Sequence, residues 1–293
     1  LGIRTVDRVD DSRFRYGIFR KQVWMDKQLI HDVTMNNFSD SDSRYINAYI
    51  DYRTRITKGQ YIQHLSRLPG NRLQIFGNNS GLIRLADDLP HDIHIRVSDI
   101  AGNTADLQFV LQKGSIDPVK HAVGANLLGV GQVNVLNGNY ASVRFGSKSF
   151  YDAVPFVLKE ETTNDITAVS PRISLHNPTV PVHERYTVSI KSVLRPGSLL
   201  REKTVIQFSG FKNKRVVKGS WEGNSMRGMF DELGKVQLFI DTISPEIVPA
   251  GWSNNDIIND ALTISAHDNM GDIAGFEATI DGQWVLFAQK GNS

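Results

Sequence analysis

The side chains best suited to chemistry in this 293-residue chain are its eight histidines, and their spacing decides whether they can gather a metal ion. His91 and His94 stand three apart, which on a strand turns them to opposite faces, whereas ligands sharing one strand face are spaced by two. No histidine is followed by an aspartate four positions later, and no two are separated by a single residue. His183-Glu184 lacks the second histidine of the helical zinc motif. The histidines therefore read as structural or exposed, and no zinc is expected in this chain. With no cysteine, thiol nucleophiles, cysteine zinc sites and disulfides are excluded.

Other chemistry is equally thin. Gly77-Asn-Asn-Ser-Gly81 places its serine one position away from the nucleophile-elbow pattern. Gly129-Val-Gly131 lacks the third glycine and the helix of a dinucleotide cradle and reads as a strand entry. Asp40 with Asp42, and Asp268 with Asp272, could offer oxygens to calcium. Neither run carries the glycine and distal glutamate of an EF-hand loop, so both read as turn and capping residues. Trp284, at an alternating position, is expected in the core or packed between strands. Packing is also expected of Trp24, Trp221 and Trp252, with a sugar-stacking or partner-binding surface as the alternative. No catalytic, metal or cofactor-binding residue is assigned, and ligand-binding residues stay open.

The elements that would position any site are strands. His91–Ser98 alternates, with Ile93, Ile95 and Val97 on one face and His94, Arg96 and Ser98 on the other. Asp99-Ile-Ala-Gly-Asn103 supplies a turn, and Leu107–Leu111 the return strand. Further strands are predicted at Ala141–Phe145, Ala153–Leu158, Tyr186–Ile190, Lys203–Phe208 and Val236–Ile240, with Pro155 confined to an edge or bulge. The best helical pattern is Ser41–Tyr52. Linkers at Lys113–Pro118 and Asp241–Glu246 suggest domains at 1–114, 115–242 and 243–293. The fold class is all-β: tandem immunoglobulin-like or β-sandwich domains. Gly17–Ile30 also aligns with Asp272–Val285 at a constant offset, placing Asp26 on Asp281 and Gln28 on Gln283 in a shared hairpin. On that alignment the third domain stops before its closing hairpin and is incomplete.

Charge narrows the partners. Lysine and arginine number 33 against 31 acidic residues, a formal net charge of +2. The densest basic stretch, Lys212, Lys214, Arg215 and Lys218, lacks aromatics and reads as a strand edge guarded by charge. Nucleic acid is set aside, and no apolar run is long enough for a membrane-spanning helix.

Several stretches, taken in order, resemble a known arrangement: Tyr16-Gly-Ile18, Arg44-Tyr-Ile-Asn47 leading into Ile50-Asp-Tyr52, Pro69-Gly-Asn-Arg-Leu73, Val97–Asn103, Asp241-Thr-Ile-Ser-Pro245 and Ile280-Asp-Gly-Gln-Trp284. Over nearly its whole length the chain is similar to the β-rich region that follows the zinc peptidase domain in large LytM-type (lysostaphin-like) envelope endopeptidases of Gram-negative bacteria. The family signature, a histidine and aspartate four apart with a later His-x-His, does not occur here, so no catalytic residue carries over. The resemblance implies a periplasmic or outer-membrane-associated accessory region, with envelope proteins or peptidoglycan as partners. Zinc would be expected only in a catalytic domain ahead of Leu1. A structural or adhesin-like subunit docked on an outer-membrane complex is the alternative, and a glycan-binding module a third.

Overall fold

The computed structural model describes residues 1–8, 15–115, 124–195, 197–253, 262–270, 273 and 275–288. The chain is all-β, 41% strand and 7% helix, arranged in several antiparallel sheets.

The first sheet comprises β1 (Arg20–Met25), β2 (Gln28–Thr34), β3 (His91–Ser98) and β4 (Thr104–Leu111), in the order β2-β1-β3-β4. The alternation in β3 sorts its faces as the sequence indicates. Ile93 and Ile95 are buried against Val23 and Leu65, while Arg96 is exposed. The β3–β4 turn falls at Asp99–Asn103, where the Asp99 carboxylate accepts the Asn103 N–H at 2.9 Å and Gly102 adopts a φ of 90°. Strands β1 and β2 meet at Asp26 and Lys27, with φ of 48° and 67°. Asp281 and Gly282 repeat this with φ of 50° and 77°, between Thr279–Ile280 and Gln283–Trp284. Paired positive φ angles define the tight hairpin turn that suits the twist of the strands. The two aligned segments thus form the same hairpin, and only the second places glycine at the second turn position.

The inner face of this sheet is covered by residues between 40 and 83. The single helix predicted over Ser41–Tyr52 is instead two elements. A 3-10 segment, Asp40–Ala48, is N-capped by Ser39, and a short helix α1 (Tyr52–Lys58) follows. Asp51 separates them because its carboxylate accepts the Thr54 N–H at 2.9 Å, which starts a new helix rather than extending the old one. Gly59, at φ 69°, ends it.

Residues 126–240 form a sandwich. Its strands are β5 (Asn126–Leu128), β6 (Asn134–Asn137), β7 (Ala141–Phe145), β8 (Val154–Phe156), β9 (Leu158–Glu161), β10 (Arg172–Leu175), β11 (Tyr186–Lys191), β12 (Thr204–Ser209), β13 (Lys214–Val217), β14 (Ser220–Glu222), β15 (Ser225–Phe230) and β16 (Gly234–Ile240). One five-stranded sheet runs β6-β7-β11-β15-β14 and the other β9-β10-β16-β12-β13. Both contribute to one apolar core, the first through Val143, Phe145 and Val188, the second through Ile173, Phe208 and Leu238. The strand predicted over Ala153–Leu158 divides at Val157, where its N–H and carbonyl both turn to His176. Strand β8 pairs with β5, and β9 with β10. Pro155 therefore lies in a two-stranded ribbon opposite Leu127, where its missing N–H is tolerated.

Beyond the sandwich, Glu246–Pro249 pairs with Ile264–His267. Trp284 corrects the sequence reading: it is 65% exposed. Among the described residues its hairpin has only two strands, and a two-stranded ribbon cannot bury a large ring on either face.

Candidate functional site

The most elaborate polar and aromatic arrangement joins the first sheet's cover to the sandwich. The 3-10 segment presents Tyr45, which is buried, and Arg44. Tyr45 stacks on His183 with ring centres 3.8 Å apart and meets Tyr151 edge-on at 6.0 Å. The Tyr151 hydroxyl donates to the Arg44 carbonyl at 2.8 Å, because a carbonyl can only accept. That hydroxyl has one proton, so the His183 contact at 3.0 Å must run from Nδ1–H to the Tyr151 oxygen. His183 therefore carries a proton on Nδ1. Its pKa is lowered, first by burial and then by the nearby Arg44 charge.

The Arg44 guanidinium reaches across to two sandwich carbonyls, Val182 at 3.1 Å through Nε and Asp231 at 2.6 Å through Nη2. Charge-assisted bonds of this kind are among the stronger ones available to a protein. Gly70 closes the other side. Its N–H donates to the Tyr151 carbonyl at 2.8 Å, and a Cβ there would stand 2.5 Å from the Phe150 carbonyl oxygen. Tyr151, from the sandwich, is itself part of the apolar cluster that holds Val33, Tyr49 and Leu73. Buried rings and occupied carbonyls fix an orientation. They provide no activated nucleophile.

A second polar group lies inside the first unit. Lys21 on β1 is fully buried, donates to the His64 carbonyl and sits 4.6 Å from the centre of the Tyr49 ring. Burial lowers its pKa to about 7. His31, also fully buried, is lowered to about 4, by burial first and then by the Lys21 charge. Neither residue is singled out by its spacing in the sequence, where Lys21 falls within the strand-like run of the Gly17–Ile30 hairpin.

The residues singled out by sequence are scattered. His91 contacts Asp26 and Asp87, whereas His94 contacts Asp106 and stacks on Trp24 at 4.9 Å, on the opposite face as their spacing requires. Among the described residues no three His, Asp or Glu side chains gather as a possible metal site. Asp40 and Asp42 lie in the first turn of the 3-10 segment. The Asp268 carboxylate accepts the Met270 N–H at 2.9 Å, and Asp272 lies outside the described residues. Trp221 packs against the sandwich core and donates to the Arg201 carbonyl at 3.0 Å beneath the Arg201 guanidinium, and the half-buried Trp252 donates to the Thr263 carbonyl at 2.6 Å. Arg215 bonds Asp231 and Glu232, while Lys214 starts the edge strand β13, in keeping with a charge-guarded edge. No helix among the described residues is long and apolar enough to cross a membrane.

Fold and joint together define an all-β, multi-sheet protein in which a four-stranded sheet is clamped to a β-sandwich. Residues 125–241, the sandwich, match the family model of the Zu5-like domain. The chain matches no curated protein.

Proposed function

We propose that this chain is a non-catalytic accessory region of a cell-envelope peptidoglycan metallopeptidase, organised as domains 1–114, 115–242 and 243–293, and that it positions or docks a catalytic domain. On this reading it works in the periplasm or at the outer membrane, and its partners are envelope proteins or peptidoglycan. The observation that supports it is the joint. Arg44, Tyr151 and His183 hold two modules in one orientation, as a spacer requires, without composing a reactive centre. Two of the segments that carry the family resemblance, Arg44–Asn47 and Pro69–Leu73, contribute to this joint through Arg44, Tyr45 and Gly70. The test is to purify residues 1–293 and measure bound zinc and muropeptide cleavage. Stoichiometric zinc or turnover would overturn the reading.

One observation favours the alternative of a docking or adhesin-like subunit. Strand β4 is a sheet edge whose pairing with β3 runs unbroken over eight residues, with neither proline nor lysine to guard it. Leu107 and Val110 are exposed along it. Such an edge can accept a partner strand. Stable co-purification with an envelope complex through β4 would support that role.

A further inference from the structure

The outer face of the second sandwich sheet carries a regular row of cations that only the strand order creates. In β10, β12 and β16 the residues Ile173, Leu175, Ile206, Phe208, Val236 and Leu238 point into the core, so their neighbours point out. The registers then align one row across all five strands. Lys159 pairs with Ser174, Ser174 with Lys235, Lys235 with Ser209, and Ser209 with Lys214. Lysine and serine alternate, and all three lysines are exposed. With strands about 4.8 Å apart, successive lysines in the row are roughly 10 Å apart and the outer two about 19 Å.

Beside the row lies a hollow of about 270 Å³, lined by Arg172, Gln207, Ser209, Lys214, Lys235 and Gln237. Gln237 and Phe239, both buried, form its floor. None of Lys159, Arg172, Lys214 and Lys235 takes part in an ion pair among the described residues. The acidic groups nearby are Glu161, opposite Arg172, and Asp165, whose charge Arg172 and Lys214 feel. Four cations against two carboxylates leave the face positive.

We propose that this face binds a linear anionic glycan lying across the strands. A cation at every second strand suits a polymer with one acidic group per disaccharide. The intervening serines and the half-buried Gln207 offer donors and acceptors for sugar hydroxyls, while the buried Gln237 supports the floor by donating to the Ser170 carbonyl. Phe239, the one ring in the hollow, is too buried to stack on bases, which disfavours single-stranded nucleic acid. The row bears no apolar wedge of the kind that enters a lipid interface. The assignment rests on the sheet register and the exposed cations it aligns, and stands whether or not the scaffold reading does.

The test uses the full chain with a hyaluronan decasaccharide, followed by calorimetry, against a neutral chitin oligosaccharide of the same length. Lys159→Gln, Lys214→Gln and Lys235→Gln combined should weaken hyaluronan binding about tenfold, since exposed charge contacts contribute modestly and add across the row. The control is Lys27→Gln, Lys58→Gln and Lys148→Gln combined, an equal loss of charge elsewhere, which should leave binding unchanged. Added salt should weaken the wild-type interaction. Circular dichroism and melting temperature establish that both variants fold. Equal weakening by the two triple variants, tighter binding of a single-stranded oligonucleotide or of phosphatidylglycerol vesicles, or no hyaluronan binding would each overturn the proposal.

Discussion

Replacing the buried Lys21 by methionine should stabilise the first unit at neutral pH and do almost nothing in alkali. In the fold this amine has its pKa lowered from 10.5 to about 7 by burial, with one carbonyl and one aromatic ring as partners. The unfolded chain therefore binds more protons between those two values, so stability rises as pH climbs through that window and is lowest below it. At about 1.4 kcal/mol per decade, the full penalty is about 5 kcal/mol. Near pH 7 most of it remains, and near pH 9.5 only about 1 to 2 kcal/mol does. Methionine removes the penalty but forfeits the bond to the His64 carbonyl and the contact with Tyr49, together about 2 kcal/mol. The balance is a gain of about 2 kcal/mol near pH 7 and about zero near pH 9.5. Urea unfolding followed by the methyl resonances of Ile93 and Ile95 reads this unit at both pH values. His31, lowered to about 4, is neutral throughout the range and does not confuse the comparison. A Lys21→Met variant that is less stable near pH 7, or whose stability difference from wild type does not change with pH, would refute the reasoning.

Three other outcomes follow from the joint and the hairpins. Arg44→Ala removes both guanidinium bonds to sandwich carbonyls and should cost the interface about 2 to 3 kcal/mol, read as shorter, separate rotational correlation times for the two modules by ¹⁵N relaxation. His183 has a folded pKa below its ordinary range, so the unfolded state takes up its proton first on acidification. The joint should therefore weaken as pH falls through that range, and His183→Phe, which keeps the stack on Tyr45, should flatten the dependence in a pH series of thermal melts. Lys27→Gly should stabilise the first hairpin by about 1 kcal/mol, because a lysine there is held at a φ of 67° that glycine adopts freely; chemical denaturation would show the opposite sign if the turn were unstrained.

Local chemistry made much of this protein legible from sequence. A two-residue alternation in His91–Ser98 is enough to specify a half-buried strand and its faces, and Asp99–Asn103 carries its own turn in the Asp99 carboxylate and Gly102. The hairpin shared by Asp26 and Asp281 is likewise a property of a few adjacent residues. Helix boundaries were less secure, because Asp51 can end one element or cap the next, and packing selects between them. Trp284 was misjudged because alternation sets a face, not whether another layer covers it. The joint was invisible in one dimension. Arg44 meets Val182 and Asp231, and Tyr45 meets His183, across more than a hundred residues of chain. The burial of Lys21 was equally hidden, because it depends on segment 40–83 closing over the sheet. The lysine row is the clearest case: positions 159, 214 and 235 share no sequence period and fall into line only because β16 lies between β10 and β12. Sequence determined the strands with clear alternation, their faces and the tightest turns, since those depend on neighbours along the chain. Tertiary structure alone decided which charges are buried and which stand together, since that depends on the order in which the strands pair.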